Sequence, residues 1–402
     1  MAAARLAFLS RADWLNRRRV RDYCLIFLAV FLATAVWFHA GTTGLVDRRG
    51  QPVGTDFINV YAAGVMVGRG DAPGAYRYTR HHLVEREVVG DARIPYFGWH
   101  YPPMFLGVAW LLAQMPYATA LALYLAVTFA LLALVVWRIA PHPLTLLVLL
   151  AFPGTFVNLG HGQNAFLTAA LLGGGLLLLE RRPIAAGVLL GLLSYKPQFG
   201  LLIPVALLAG LHVRAILAAT ATVAAVCLAS LGLFGAETWQ AFFASTALTQ
   251  DIILEQGATG WEKIQSSFSM ARSLGAPLPL AYGVQFGVTA LATLAVVWTW
   301  WRSGADYAVK ASVLCVAILL SPPYLLDYDL VVLALPIAFM AALGVRDGFR
   351  DWERMALVAA WLLPIVSRGV GGAIGVQFGP VVLAAILLVL LRRVRKPTRA
   401  AA

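Results

Sequence analysis

Asp56 is the first residue that invites a chemical reading. It stands in residues 54–61, GTDFINVY, shortly after an apolar run and just ahead of an aromatic-rich stretch with helical spacing. A carboxylate at a membrane surface is partly desolvated, and desolvation raises its affinity for protons, as a general base requires. The plain alternative is an acid that caps a helix or faces solvent. Lys196 is the sharpest outlier. It lies between the apolar stretches 189–193 and 201–207, flanked by Tyr195, Pro197 and Gln198. A lysine in such surroundings is costly unless it is paired or wet. It reads either as a side chain snorkelling to the interface or as a cation for a phosphate or carboxylate. Pro197 breaks the helix, so a following helix would aim its N–H groups at the same anion.

Other polar motifs share this pattern. His100-Tyr101-Pro102-Pro103 makes a non-helical approach to the membrane, because the residue before a proline avoids the helical region. Tyr101 is then either an interfacial anchor or a substrate contact. His161-Gly162-Gln163-Asn164 sits between two apolar runs; its glycines allow a tight turn or a close approach to a ligand. Gln163 and Asn164 are more polar than a turn at that depth needs. Ser321-Pro322-Pro323-Tyr324 leads to Asp327-Tyr328-Asp329, whose acids fit sugar hydroxyls, a divalent ion, or a helix start. Trp239, Trp261, Glu262 and Lys263 fall in a later loop, where stacking on a sugar competes with interfacial anchoring.

The elements that position these residues must live in lipid. Of 402 residues, 60% are hydrophobic and 12% charged, against about a quarter charged in a soluble domain. Apolar runs of about 20 residues recur. The sequence therefore predicts an all-α polytopic membrane protein, one domain over residues 1–402, with roughly 11–13 spans. The net charge of +12 comes largely from arginines at the ends of apolar runs. Topology explains them better than nucleic acid does. Cys24, Cys227 and Cys315 lie in apolar segments without a CxxC spacing, which argues against a zinc site or a disulfide frame.

A basic tail, residues 1–21, precedes the run 23–40. That run is too long for a signal-peptide core and lacks an A-x-A site, so it reads as a retained anchor leaving the N-terminus cytoplasmic. Residues 41–101 then form an extracytoplasmic loop with short interfacial helices near 55–67, capped by Thr55, and 76–89. Residues 102–114 are too short to span. Counting runs from there (144–159 as one span, 357–366 as another) puts nearly every arginine cluster on one side and every polar motif on the other. Residues 235–275 become a second outer loop, Arg302 an inner span end, and 392–402, with Arg392, Arg393, Arg395 and Lys396, an inner basic tail. The Gly173-Gly174-Gly175 run reads as a close helix-packing face.

The order GTDFINVYAAG, YPP, GQN, YKPQ, SPPYLLDYDL resembles glycosyltransferase family 87 of the GT-C superfamily, polyprenol-phosphate-mannose-dependent mannosyltransferases and their relatives, over about residues 20 to 390. The resemblance implies a GT-C-type helical bundle and an extracytoplasmic active site. It implies a catalytic base in the first loop, which maps onto Asp56. The glycine-glutamine motif maps onto Gly162 and Gln163, the lysine-proline-glutamine motif onto Lys196, Pro197 and Gln198, and the serine-proline motif onto Ser321 and Pro322. Mycobacterial members carry histidines where this chain has Asp327, Tyr328 and Asp329.

On this reading a hexose, mannose by resemblance, passes with inversion from a polyprenyl-phosphate donor to a lipid or glycan hydroxyl. Asp56 is the base. Lys196, His100 and His161 meet the donor phosphate. Tyr101, Gln163, Asn164, Gln198, Tyr324, Asp327 and Asp329 contact substrate. No cofactor or metal enters the scheme, and membrane lipids are the only other expected partners. The protein would sit in the inner (plasma) membrane with both termini cytoplasmic. A rival class is a transporter or flippase of lipid-linked sugars, which also uses broken helices and a mid-chain lysine; the missing inverted repeat speaks against it.

Overall fold

In a computed structural model, residues 2–301 and 304–394 are described. Arg302, Arg395 and Lys396, named above as span-end and tail charges, lie outside the described residues. The chain is 75% helical, and only isolated bridges of extended backbone occur among the described residues.

The helices follow the apolar runs. A short α1 (Ala2–Arg11) precedes α2 (Arg17–His39), capped by Asn16, which accepts from the Arg19 amide at 3.0 Å. The first loop carries α3 (Phe57–Gly68) and α4 (Tyr78–Val89), joined by a 3-10 turn over Ala72–Tyr76. Pro103–Phe105 turns into the short α5 (Leu106–Leu112). α5 packs closely on α3, since a Cβ at Gly64 would fall 2.0 Å from the Ala109 carbonyl oxygen. Then come α6 (Tyr117–Ile139), α7 (Pro143–Leu150), α8 (Pro153–His161), α9 (Ala165–Leu178), α10 (Pro183–Leu192), α11 (Ile203–Ala209) and α12 (Val213–Thr249). α13 (Ser267–Ser273), α14 (Leu278–Trp300), α15 (Tyr307–Leu320), α16 (Ala334–Asp347), α17 (Glu353–Ile374) and α18 (Gly379–Leu391) complete the chain.

Several expected elements change shape for local reasons. The single span expected at 144–159 is the pair α7 and α8, bent by 49° where Pro153 interrupts the backbone ladder. α12 is kinked at Gly235, whose φ of 78° is not helical. Residues 235–275, expected from sequence as a second outer loop, are therefore largely helical. Their first part lies on the first loop, with Phe242 edge-on to Tyr76 at 5.7 Å. The span expected to end at residue 366 continues as α17 to Ile374, through Pro364.

Among the described residues, six helical segments are long and apolar enough to cross a membrane, or seven if α7 and α8 count as one span. The roughly 11–13 spans read from sequence included helices such as α9, α10 and α15. At about 1.5 Å per residue these cannot cross about 30 Å of hydrocarbon. α9 and α15 lie largely in the interior, whereas α10 buries four of its ten residues and leaves Ile184 and Val188 exposed. Eleven of the 14 residues of α15 are buried, and the 3-10 segment Asp327–Leu333 is buried throughout. An apolar helix covered on all sides is core. The glycine run of α9 packs as expected: a Cβ at Gly173 would lie 2.5 Å from Leu335, and one at Gly175 2.6 Å from Leu190. α17 ties two charged regions together. At its start Glu353 accepts from Arg393 at 2.6 Å, and Arg368 lies about 22 Å further along the axis.

Candidate active site

Two glycines bring the first loop against the corner between α8 and α9. Gly54 (φ 72°) and Gly162 (φ 60°) occupy the left-handed region that glycine adopts without cost. A Cβ on Gly162 would lie 2.7 Å from both the Gly54 carbonyl oxygen and the Phe57 Cβ. The backbones therefore touch, and the Asp56 amide donates to the His161 carbonyl at 3.1 Å. Thr55, at φ 20°, is strained for a β-branched residue. Its hydroxyl sits 3.1 Å from His161 Nδ1. Thr55 is thus not the helix cap expected from sequence. α3 starts at Phe57, and Asp56 holds the cap position without using its side chain as a cap.

The Asp56 carboxylate instead meets Gln163. The Gln163 Oε1 accepts from the Tyr101 hydroxyl and from the Asn164 amide, each at 3.1 Å. Both donors face one oxygen, so the amide orientation is fixed. Its Nε2 then donates to Asp56 Oδ2 at 3.0 Å. Tyr101 is itself held, its carbonyl accepting from the Tyr76 hydroxyl at 2.9 Å.

On the other side of Asp56 stands His161, with Nδ1 3.9 Å from Oδ2. His161 Nε2 lies 3.4 Å from an Arg368 Nη1. A guanidinium only donates, so this contact suits a lone pair on Nε2, while Nδ1 faces Thr55 and Asp56. The same Arg368 nitrogen is 3.5 Å from Asp327 Oδ2. Asp327 is buried, whereas the Arg368 side chain is 40% exposed. Arg368 was missed in the sequence because its span was expected to stop at 366. A lone arginine inside an apolar run was the available signal.

Lys196 and Asp329 make a separate, closed pair. Nζ donates to Oδ1 at 2.7 Å, with both residues almost fully buried. Asp329 Oδ2 accepts from the Leu326 amide at 3.2 Å. The ammonium also lies 5.6 Å and 5.3 Å from the Phe199 and Tyr328 ring centroids. Sequence reasoning set Lys196 against a donor phosphate and Asp329 against substrate; in the structure they face each other. Burial explains it, since an ion taken out of water is stabilised by an opposite charge in contact. Nor does a helix start at Pro197. A 3-10 turn, Pro197–Gly200, comes first, and α11 begins only at Ile203. Tyr328 joins the two groups, its ring 5.8 Å from that of His161.

The remaining expected residues stand aside from this chain of contacts. His100 Nδ1 is 3.1 Å from the Thr249 hydroxyl. Burial pulls its pKa down to about 4, so it is uncharged at neutral pH. Asn164 is buried, and its carbonyl accepts from Tyr195 at 3.3 Å. Gln198 is half-buried on the 3-10 turn. Tyr324 packs between the main core and a small cluster of Leu254, Phe268, Ala271 and Ala281.

A partly buried carboxylate next to a histidine, whose far nitrogen meets an arginine, can take a proton while an anion forms nearby. The comparison with known proteins agrees in class. Residues 99–322, more than half of the chain, match the model of glycosyltransferase family 87, and the chain belongs to that family. No curated protein and no solved structure matches it.

Proposed function

We propose that this family 87 membrane glycosyltransferase moves a hexose, mannose by resemblance, from a polyprenyl-phosphate donor to a hydroxyl of a lipid or glycan acceptor. Asp56 takes the hydroxyl proton as the oxygen bonds to the anomeric carbon. The bond from that carbon to the phosphate oxygen breaks on the opposite face, and its electron pair leaves with the lipid phosphate. The configuration inverts. Arg368 meets the developing charge on the phosphate, and preorganised donors of this kind are usually a large part of such catalysis. Phosphate leaves readily enough that no protein acid is called on.

The observation carrying this reading is the contact chain Gln163–Asp56–His161–Arg368–Asp327, with 3.0 Å, 3.9 Å, 3.4 Å and 3.5 Å between successive groups. A proton acceptor and a cation flank one side chain. Tyr101 and Gln163 position Asp56, and Asp327 positions Arg368. Lys196 acts indirectly here: paired with Asp329, it fixes Tyr328 beside His161. His100 offers a hydrogen bond and no charge. Asn164, Gln198 and Tyr324 enter only as walls of the substrate path.

The bilayer orientation belongs to the same proposal: one domain in the inner (plasma) membrane, termini cytoplasmic, site extracytoplasmic. Support comes from the arginines at the far end of α17 and at the start of α2, Arg354, Arg393 and Arg17–Arg19, since basic residues stay on the cytoplasmic side. Incubating the purified protein in detergent with a panel of polyprenyl-phosphate hexoses and a membrane lipid extract tests the function. The expected result is a glycosylated acceptor, seen by mass spectrometry, without any transmembrane gradient. Movement of intact donor across vesicles with no product would make the protein a transporter.

A further inference from the structure

A cleft of about 890 Å³ opens on the first loop, between residues 41–51 and 89–95. It lies just past the end of α2. The 23 residues of α2 extend about 34 Å, enough to cross the hydrocarbon and bring His39 to the headgroup layer. The last turns of that helix face outward, with Leu32, Val36 and Trp37 all exposed. Beyond it the chain turns around Asp47, whose Oδ1 accepts from the Arg49 and Gln51 amides at 2.8 Å and 2.9 Å. Gly50, at φ 75°, lets the backbone reverse. The turn therefore holds Arg48 and Arg49 side by side at its tip.

Both arginines are held in place, and neither is neutralised. The Arg48 guanidinium carbon lies 5.5 Å from the Trp37 ring centroid, and that of Arg49 lies 4.8 Å from the Phe38 centroid. Both distances are within cation–π range. Arg48 also crosses directly over Gly41, where a Cβ would collide with its Nε. Among the described residues no carboxylate pairs with either arginine. The two acids of the cleft are already engaged: Asp47 caps the turn amides, and Asp91 takes Arg93 at 2.9 Å. Arg48 and Arg49 are exposed, so their N–H edges are open to a ligand. A planar fork of such donors matches phosphate oxygens, and two adjacent forks without a counter-charge draw an anion.

We propose that this cleft binds the headgroup of an anionic glycerophospholipid from the surrounding bilayer. Arg48 and Arg49 donate to its phosphate, and its acyl chains lie along the exposed face of α2. The phosphate of a sugar donor is a different group. It must lie one bond from the anomeric carbon attacked beside Asp56, and none of Asp56, His161 and Arg368 lines this cleft. The inference goes beyond the transferase reading and does not rest on it.

Site-resolved labelling tests it. The full chain in phosphatidylcholine nanodiscs is given phosphatidylglycerol carrying a photoactivatable group beside its phosphate, and the label is mapped by mass spectrometry. Labelling is expected on residues 37–51 and 89–95. The double variant Arg48→Gln with Arg49→Gln should reduce it by at least about tenfold, because each arginine at a membrane surface adds to anionic-lipid binding. Arg17→Gln with Arg18→Gln, at the opposite end of α2, should leave that labelling unchanged. Unlabelled phosphatidylglycerol should compete, polyprenyl phosphate should compete less well, and inorganic phosphate should not compete. Absence of label from those residues, label that survives loss of Arg48 and Arg49, or an equal fall in the Arg17 and Arg18 variant overturns the site. Full competition by inorganic phosphate would make it a site for a free anion. Stronger competition by polyprenyl phosphate than by phosphatidylglycerol would assign it to the donor. Either result overturns the proposal while leaving the transferase reading standing.

Discussion

Two ionic groups sit side by side in this protein and are built on opposite principles. Lys196 and Asp329 are in contact at 2.7 Å, and neither side chain is more than 4% exposed. Arg368 and Asp327 are 3.5 Å apart, and the arginine is ten times as exposed. The first pair is closed, with its charges cancelled and its faces covered by Phe199 and Tyr328. The second is open on the cation's side and continues through His161 to Asp56. A sealed pair holds structure, because breaking it strands a charge in a medium that cannot solvate it. An open one keeps a charge available for a ligand. The sharper sequence outlier of the two cations, Lys196, is the brace, and the inconspicuous one, Arg368, is left open beside the proposed base.

Substitutions can break or sharpen that contrast. Lys196→Met should have the largest effect on stability, about 3–5 kcal/mol, because Asp329 is left buried and uncompensated. A fall in the melting temperature of the detergent-purified protein would show it. The double variant Lys196→Met with Asp329→Leu should regain much of the loss, and a double variant no better than the single would contradict the brace. Arg368→Gln should do the reverse, with a near-native melting temperature and transfer reduced about a hundredfold, as for loss of one preorganised donor. If it unfolds the protein instead, the distinction between open and closed pairs fails. Tyr101→Phe removes one hydrogen bond from Gln163, about 1 kcal/mol. Transfer should drop about five- to tenfold through kcat, with stability little changed.

A pH effect comes from a third arrangement, an uncharged one. In α4, His81 Nδ1 stands 3.6 Å from Glu85 Oε1, both side chains fully buried. Burial raises the Glu85 pKa to about 9 and lowers that of His81 to about 4. The folded state thus keeps a proton on Glu85 that the unfolded chain releases near its ordinary value of 4.5. The associated stability is complete below that value and is lost as pH rises toward about 9. Above about pH 7 a histidine is neutral in both states, so this window isolates Glu85. Between about pH 7 and 9 the wild type should lose melting temperature, and Glu85→Gln should lose less. Parallel curves would show that Glu85 is charged in the folded protein.

How far the sequence could be read differed between fold and site. Apolar runs and the prolines that punctuate them made the all-helical membrane class legible, along with the short helices of the first loop. The number of spans was not, because a buried helix such as α15 and a lipid-facing one are equally apolar in sequence. Among site residues, Asp56, Tyr101, Gln163, His161 and Asp327 were singled out by type and converge in space. The Lys196–Asp329 pair spans 133 positions. Pairing over that distance is invisible to local pattern, so each was read alone, as a ligand for something else. Arg368 was hidden by a span boundary drawn too early at residue 366.

The central claim is that Asp56 is the proton acceptor in glycosyl transfer. Its most direct test is the rate of labelled product formation by purified Asp56→Asn with a polyprenyl-phosphate hexose and a saturating acceptor extract. Asparagine keeps the shape and can still accept a hydrogen bond from Gln163, so the fold and donor binding should persist. The expected result is a loss of about a thousandfold in kcat, within the range for removal of a general base, at an unchanged melting temperature. Near-native transfer by that variant would contradict the assignment.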